Sequence, residues 1–102
     1  MEIGYRNNEV EKICEQPQFA RKKYPEKIVS SIEMLMYKLA AVDSFDNFKN
    51  NPANRKYRTH PLQGNRQDLI ALYLDFKYRM TVKLKIEQNK LIIWEISNHY
   101  GD

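Results

Sequence analysis

The 102 residues fit one domain, since domains commonly run to about 100–150 residues, and 42% apolar with 12% aromatic content supplies one core and excludes a disordered segment. No apolar run approaches the ~20 residues of a membrane span, the start MEIGYRNNEVEK lacks a signal peptide's apolar region, and a lone cysteine excludes an intramolecular disulfide or a Cys-rich zinc site. The net charge of +4 is uneven: residues 1–53 set eight basic against eight acidic groups, residues 54–90 nine against three, and the last twelve residues return −2. A small, soluble, cytoplasmic protein with no membrane partner is expected, and its second half is the part that can attract a polyphosphate.

A short strand is expected at Glu2–Arg6, then a helix in which Val10, Ile13 and Cys14 form an apolar stripe. Pro17 lacks an amide donor and disfavours helical geometry at Gln16, so this helix breaks there, with a turn or two resuming through Phe19, Ala20 and Tyr24. Pro25 suits the first position of a second helix, in which Ile28, Ile32, Leu35 and Leu39, flanked by Val29, Met36 and Ala40, make one buried stripe. Residues 43–57 read as a connecting loop rich in Asn, Asp and Pro, pinned to the core by Phe45 and Phe48.

From Leu69 the hydrophobic period drops to two. Ile70, Leu72 and Leu74 alternate with Ala71, Tyr73 and Asp75. A turn at Asp75–Lys77 follows, and then Met80, Val82, Leu84 and Ile86 alternate with Arg79, Thr81, Lys83 and Lys85. After a turn at Gln88-Asn89, Ile92, Trp94 and Ile96 form the core face of a last strand, with Glu95, Ser97 and His99 opposite. The order β-α-α-β-β-β predicts an α+β fold, an N-terminal strand and helical hairpin packed on one face of a small antiparallel sheet. The uncovered face then carries Arg79, Lys83, Lys85 and His99, a basic surface able to receive nucleic acid.

No metal or cofactor is expected. His60 and His99 lie far apart without metal-ligand spacing, and Gly4, Gly64 and Gly101 are isolated, so no phosphate-binding glycine loop exists. Cys14 sits on the apolar helix stripe and reads as a small core residue. The segment RKYRTHPLQGNR (Arg55–Arg66) differs in kind, gathering four cations, an imidazole, a Pro and a Gly directly before the sheet. Arg58, Arg66 and Arg79 offer planar donor forks for phosphate oxygens, Lys56 offers a point charge, and His60 can take or return a proton near neutral pH. Such a set suits metal-independent RNA cleavage, in which a base deprotonates the 2′-hydroxyl and cations stabilise the charge developing on phosphorus. The ending ISNHYGD adds His99 and Tyr100 at the sheet's rim, where Tyr100 can stack on a base or donate a proton.

These pieces, in this order, resemble the RelE/HigB-like toxins of bacterial type II toxin–antitoxin systems, within the RelE/ParE superfamily. The resemblance spans nearly the whole chain. It rests on the helical hairpin, the stretch His60–Arg66 (similar to H-x-L-x-G-x-R), the Tyr78-Arg79 start of a strand, and the closing strand with a terminal histidine. It implies a ribonuclease that enters the ribosomal A site and cleaves mRNA there, neutralised by an antitoxin, usually of helix-turn-helix type. By position, the resemblance makes His60 the preferred general base, Arg79 the ligand of the scissile phosphate, and His99 the terminal histidine. The His99-Tyr100 pair also looks like the ending of YoeB-like relatives. HigB-like toxins often show Asp-Tyr-His where this chain reads Ser97-Asn98-His99, so the base is His60 or His99. Lys56, Arg58, Arg66, Lys83 and Lys85 are the expected RNA-binding residues. Two alternatives stay open: a ParE-like, non-catalytic inhibitor of DNA gyrase, and a basic module that binds RNA without cutting it.

Overall fold

The computed structural model describes residues 1–64 and 68–98. Strand β1 (Glu2–Tyr5) leads into helix α1 (Asn8–Glu15), whose first turn is capped by the Asn7 side chain accepting from the Val10 amide at 2.9 Å. The helix stops at Gln16 as Pro17 requires, and one further turn, α2 (Pro17–Ala20), follows. Helix α3 (Glu26–Ala41) starts one residue later than the sequence suggests. Pro25 stands at the cap with ψ 152°, and its carbonyl accepts from Ile28 and Val29. Ile28, Val29, Ile32, Leu35, Met36 and Leu39 are buried along the expected stripe, while Ala40, at its end, is exposed.

The segment expected as a loop is instead helical. Ser44 caps α4 (Phe45–Asn50) by accepting from the Asn47 amide, and Asn51 caps a 3-10 turn (Pro52–Tyr57) by accepting from Ala53. The Asn and Ser residues that read as loop formers are thus the caps of two short helices. Phe45 and Phe48 do pin this segment: both are buried, 5.8 Å apart, and Tyr57 packs on Phe48 at 5.6 Å. Phe48 is fully enclosed, so Phe48→Ala is expected to lower unfolding stability by about 3–5 kcal/mol, measured by urea denaturation.

The strands β2 (His60–Pro61), β3 (Leu69–Tyr73), β4 (Tyr78–Lys85) and β5 (Lys90–Asn98) complete a five-stranded sheet of order β1-β5-β4-β3-β2. The α+β architecture is the one expected, with a parallel pair added: the helices after β1 carry the chain to β2 at the opposite edge, the sheet returns strand by strand, and β5 arrives parallel to β1, every other pair being antiparallel. Helices cover one face, where Leu72, Met80, Val82, Leu91, Ile93 and Ile96 join the helical stripes in the main core. Asp75 closes the β3–β4 turn by accepting from the Lys77 and Tyr78 amides, both at 2.7 Å.

One sequence assignment is corrected in part: Ile96 is on the core side of β5 as expected, but Ile92 and Trp94 are not. The core side of β5 is Leu91, Ile93 and Ile96, and Trp94 packs on the opposite face with Leu62, Leu69 and Ala71. The cause is a bulge: Thr81 pairs with Glu95 and Val82 with Ile93, which leaves Trp94 as the extra residue. Strand phase changes by one at that point, so neither a pure odd nor a pure even alternation describes β5.

Candidate active site

The face without helices carries most of the side chains nominated from the sequence. Residues directly opposite one another in an antiparallel pair project to the same side. The register His60–Ala71–Thr81–Glu95 therefore forms one row across four strands, and Tyr73–Arg79–Ser97 forms the next. Lys83 and Lys85 continue along β4 on this side, as the alternation predicts.

His60 sits in the two-residue edge strand, immediately after Arg58 and Thr59. Its Nδ1 lies 2.8 Å from the Arg58 carbonyl oxygen. A carbonyl only accepts, so Nδ1 carries the proton and Nε2 is the basic nitrogen of the neutral ring. Arg58 itself adopts a left-handed backbone, φ 45° and ψ 48°, where it closes the 3-10 turn. That conformation costs a side-chain-bearing residue about 1–2 kcal/mol, and glycine avoids the cost. Arg58→Gly is accordingly expected to be more stable than Arg58→Ala by about 1 kcal/mol in thermal or urea unfolding, although both lack the guanidinium.

Tyr73 organises the arginines. The Arg79 guanidinium lies 3.8 Å from the centre of its ring, and the Arg58 guanidinium lies 4.9 Å from it. Arg79 is only 4% exposed, so this cation–π contact is largely desolvated and stronger than a surface one. Stacking engages the flat face of a guanidinium, whereas phosphate is gripped by its in-plane N–H edges; Arg58 is exposed and offers such an edge, while Nη1 of Arg79 is enclosed. Neighbouring Thr81 is also buried.

The other sequence-nominated groups are dispersed. Lys83 pairs with Asp68 at 3.2 Å and lies 5.6 Å from the Trp94 ring. Lys85 is exposed at the far end of β4, six residues from Arg79, or about 20 Å along an extended strand. Lys56 is on the 3-10 turn, 5.3 Å from the ring of Tyr57. The structure thus brings Arg58, His60 and Arg79 to one region, places Lys56 beside Tyr73 in the lining of one cavity, and leaves Lys85 apart. Arg66, His99 and Tyr100 lie outside the described residues. Tyr73, Trp94 and Arg6 are the functional candidates that sequence reasoning missed. For Tyr73 the signal existed, since a strand burying Ile70, Leu72 and Leu74 must turn Tyr73 outward.

Cys14 is buried, and desolvation followed by the nearby Glu15 carboxylate pushes its thiol up to about 12, so it carries no thiolate near neutral pH. Among the described residues, no three or more His, Cys, Asp or Glu side chains gather as a metal set, and no helix is long and apolar enough to cross a membrane.

No protein-family profile and no curated protein sequence matches the chain. Solved structures do. The chain is similar to a YoeB/ParE toxin from Agrobacterium tumefaciens, with 15% identity and a TM-score of 0.62 over 98% of this chain and 100% of that one. It is also similar to a chain of the E. coli DinJ–YafQ toxin–antitoxin complex, with 22% identity and a TM-score of 0.61 over 96% and 91%. A chain of the YoeB–YefM complex from Staphylococcus aureus matches with 14% identity and a TM-score of 0.60 over 98% of both chains. The chain therefore shares the fold of these structures, a RelE-like α+β arrangement of an N-terminal strand, a helical layer and a mixed sheet.

Proposed function

We propose that this chain is the toxin of a type II toxin–antitoxin module and that it cleaves mRNA on the ribosome without a metal ion. The observation that carries the reading is the stacking of Arg58 and Arg79 on Tyr73, with His60 bonded to the Arg58 carbonyl, on the helix-free side of the sheet. His60 Nε2 takes the proton of an RNA 2′-hydroxyl. The 2′-oxygen bonds to the adjacent phosphorus, the bond from phosphorus to the 5′-oxygen breaks, and that oxygen takes up a proton. The products are a 2′,3′-cyclic phosphate and a 5′-hydroxyl. Arg79 and Arg58 stabilise the negative charge that develops on the phosphoryl oxygens. His99 is the second candidate for the base. Tyr100 is a candidate proton donor to the leaving oxygen, and Arg66 a further phosphate ligand. Lys56, Lys83 and Lys85 contribute longer-range attraction to RNA. The ribosome supplies the mRNA alignment. The proposed protein partner is a cognate antitoxin, as in the DinJ–YafQ complex, which is a toxin–antitoxin complex by name, and the YoeB–YefM complex.

A second reading is favoured by the double name of the Agrobacterium relative, YoeB/ParE. A ParE-like chain would inhibit DNA gyrase by binding alone. The two readings separate on one comparison: growth arrest by the wild-type chain against the double variant His60→Ala, Arg79→Ala, with gyrase supercoiling assayed in parallel. The nuclease reading expects arrest to be lost in the double variant and supercoiling to be untouched by the wild type. Persisting arrest with inhibited supercoiling would replace it with the gyrase reading.

A further inference from the structure

The bulge in β5 turns Trp94, the single tryptophan of the chain, onto the open face. The indole is half-buried, resting on Leu62, Leu69 and Ala71. Two cations from separate parts of the chain converge on its ring. Arg6, following β1, places its guanidinium 5.1 Å from the ring centre, and Lys83 of β4 places its ammonium 5.6 Å from it. Packing accounts for the contact with the three apolar side chains, and an ion pair with Asp68 at 3.2 Å also holds Lys83; neither accounts for Arg6 brought over the same ring. Bulges commonly re-aim a side chain beside a functional site, and here the re-aimed residue is an aromatic one between positive charges.

We propose that Trp94, Arg6 and Lys83 form a second subsite for single-stranded RNA, separate from the Tyr73 cluster. A base takes the place of one cation over the indole, and the displaced cation follows the phosphate of that nucleotide. Stacking on an aromatic ring with flanking cations is the general device for holding unpaired nucleotides, since every base has a π-face. An acidic protein segment would satisfy the cations and leave the indole without a partner. Lys83 lies four residues from Arg79 on β4, about 13 Å along the strand, so one short RNA strand can reach both clusters. This inference rests on the RNA reading of the face but not on cleavage.

The test uses the wild-type chain and a short 2′-O-methyl RNA oligonucleotide, which binds but cannot be cut. Trp94 emission and the anisotropy of a dye on the oligonucleotide are followed in the same titration. Saturable quenching of Trp94 that tracks the anisotropy is expected. Arg6→Ala and Lys83→Ala should each weaken affinity several-fold and lower the slope of log affinity against log salt by about 0.7 per cation removed. Circular dichroism confirms that each variant is folded. Binding seen by anisotropy with Trp94 emission unchanged would overturn the subsite while leaving RNA binding in place. Absence of binding by both readouts would overturn it as well. Trp94 quenching together with no ribosome-dependent cleavage would uphold the subsite and sink the nuclease reading instead.

Discussion

Arg79→Ala is expected to lower ribosome-dependent mRNA cleavage by about 10²–10³-fold, the usual cost of removing one preorganised donor from developing charge. The expectation follows from where Arg79 is held. Its guanidinium is almost fully covered and stacked at 3.8 Å on Tyr73, so its orientation is fixed before any substrate arrives. A fixed cation stabilises a transition state without reorganising, whereas a mobile surface cation mainly raises affinity. Arg79→Lys should recover only a small part of the loss, because an ammonium neither stacks on tyrosine as a plane nor offers two parallel donors. Alanine also removes a desolvated cation–π contact, so some stability should be lost as well, on the order of 2 kcal/mol. Single-turnover cleavage measured well below each variant's unfolding midpoint separates the chemical effect from the structural one.

His60→Ala carries the second large effect, a fall in cleavage of about 10²–10⁴-fold, the range of a positioned general base. The hydrogen bond from Nδ1–H to the Arg58 carbonyl holds the ring in the tautomer that leaves Nε2 basic. That bond depends on the left-handed turn at Arg58, so the backbone geometry at one residue orients the imidazole of another. His60→Ala should leave association with the ribosome close to wild type, since it removes none of the lysines or arginines of the basic segment. If cleavage survives in His60→Ala and is lost in His99→Ala, the base is the terminal histidine and the role of His60 is confined to the edge strand.

The stripes were the legible part of the fold. Ile28, Ile32, Leu35 and Leu39 recur at helical spacing over four turns, and Met80 and Val82 alternate cleanly with Arg79, Thr81 and Lys83, so both elements follow from periodicity. Pro17 marked its helix break for the same kind of local reason. The bulge at Trp94 was not legible, because one extra residue shifts the phase of a strand without leaving a compositional mark. The helical character of 45–57 was hidden because Ser44 and Asn51 serve equally as turn formers and as caps. Within the site, charge clustering pointed to Arg58, His60, Arg79 and Lys83. It could not show that Tyr73 gathers two arginines or that Arg6 reaches Trp94, since those contacts join residues far apart in the chain. The parallel seating of β1 on β5 was equally silent: four residues of β1 carry too little pattern to choose an edge or a direction.

The most direct test of the account is 5′-end mapping of a defined mRNA in a reconstituted translation system, with and without ribosomes. New ends that appear only with ribosomes, carry a 5′-hydroxyl, and fade in Arg79→Ala and His60→Ala are the predicted result. Messages left intact by a wild-type chain that nonetheless arrests growth would contradict it, and would direct attention to a protein target such as gyrase.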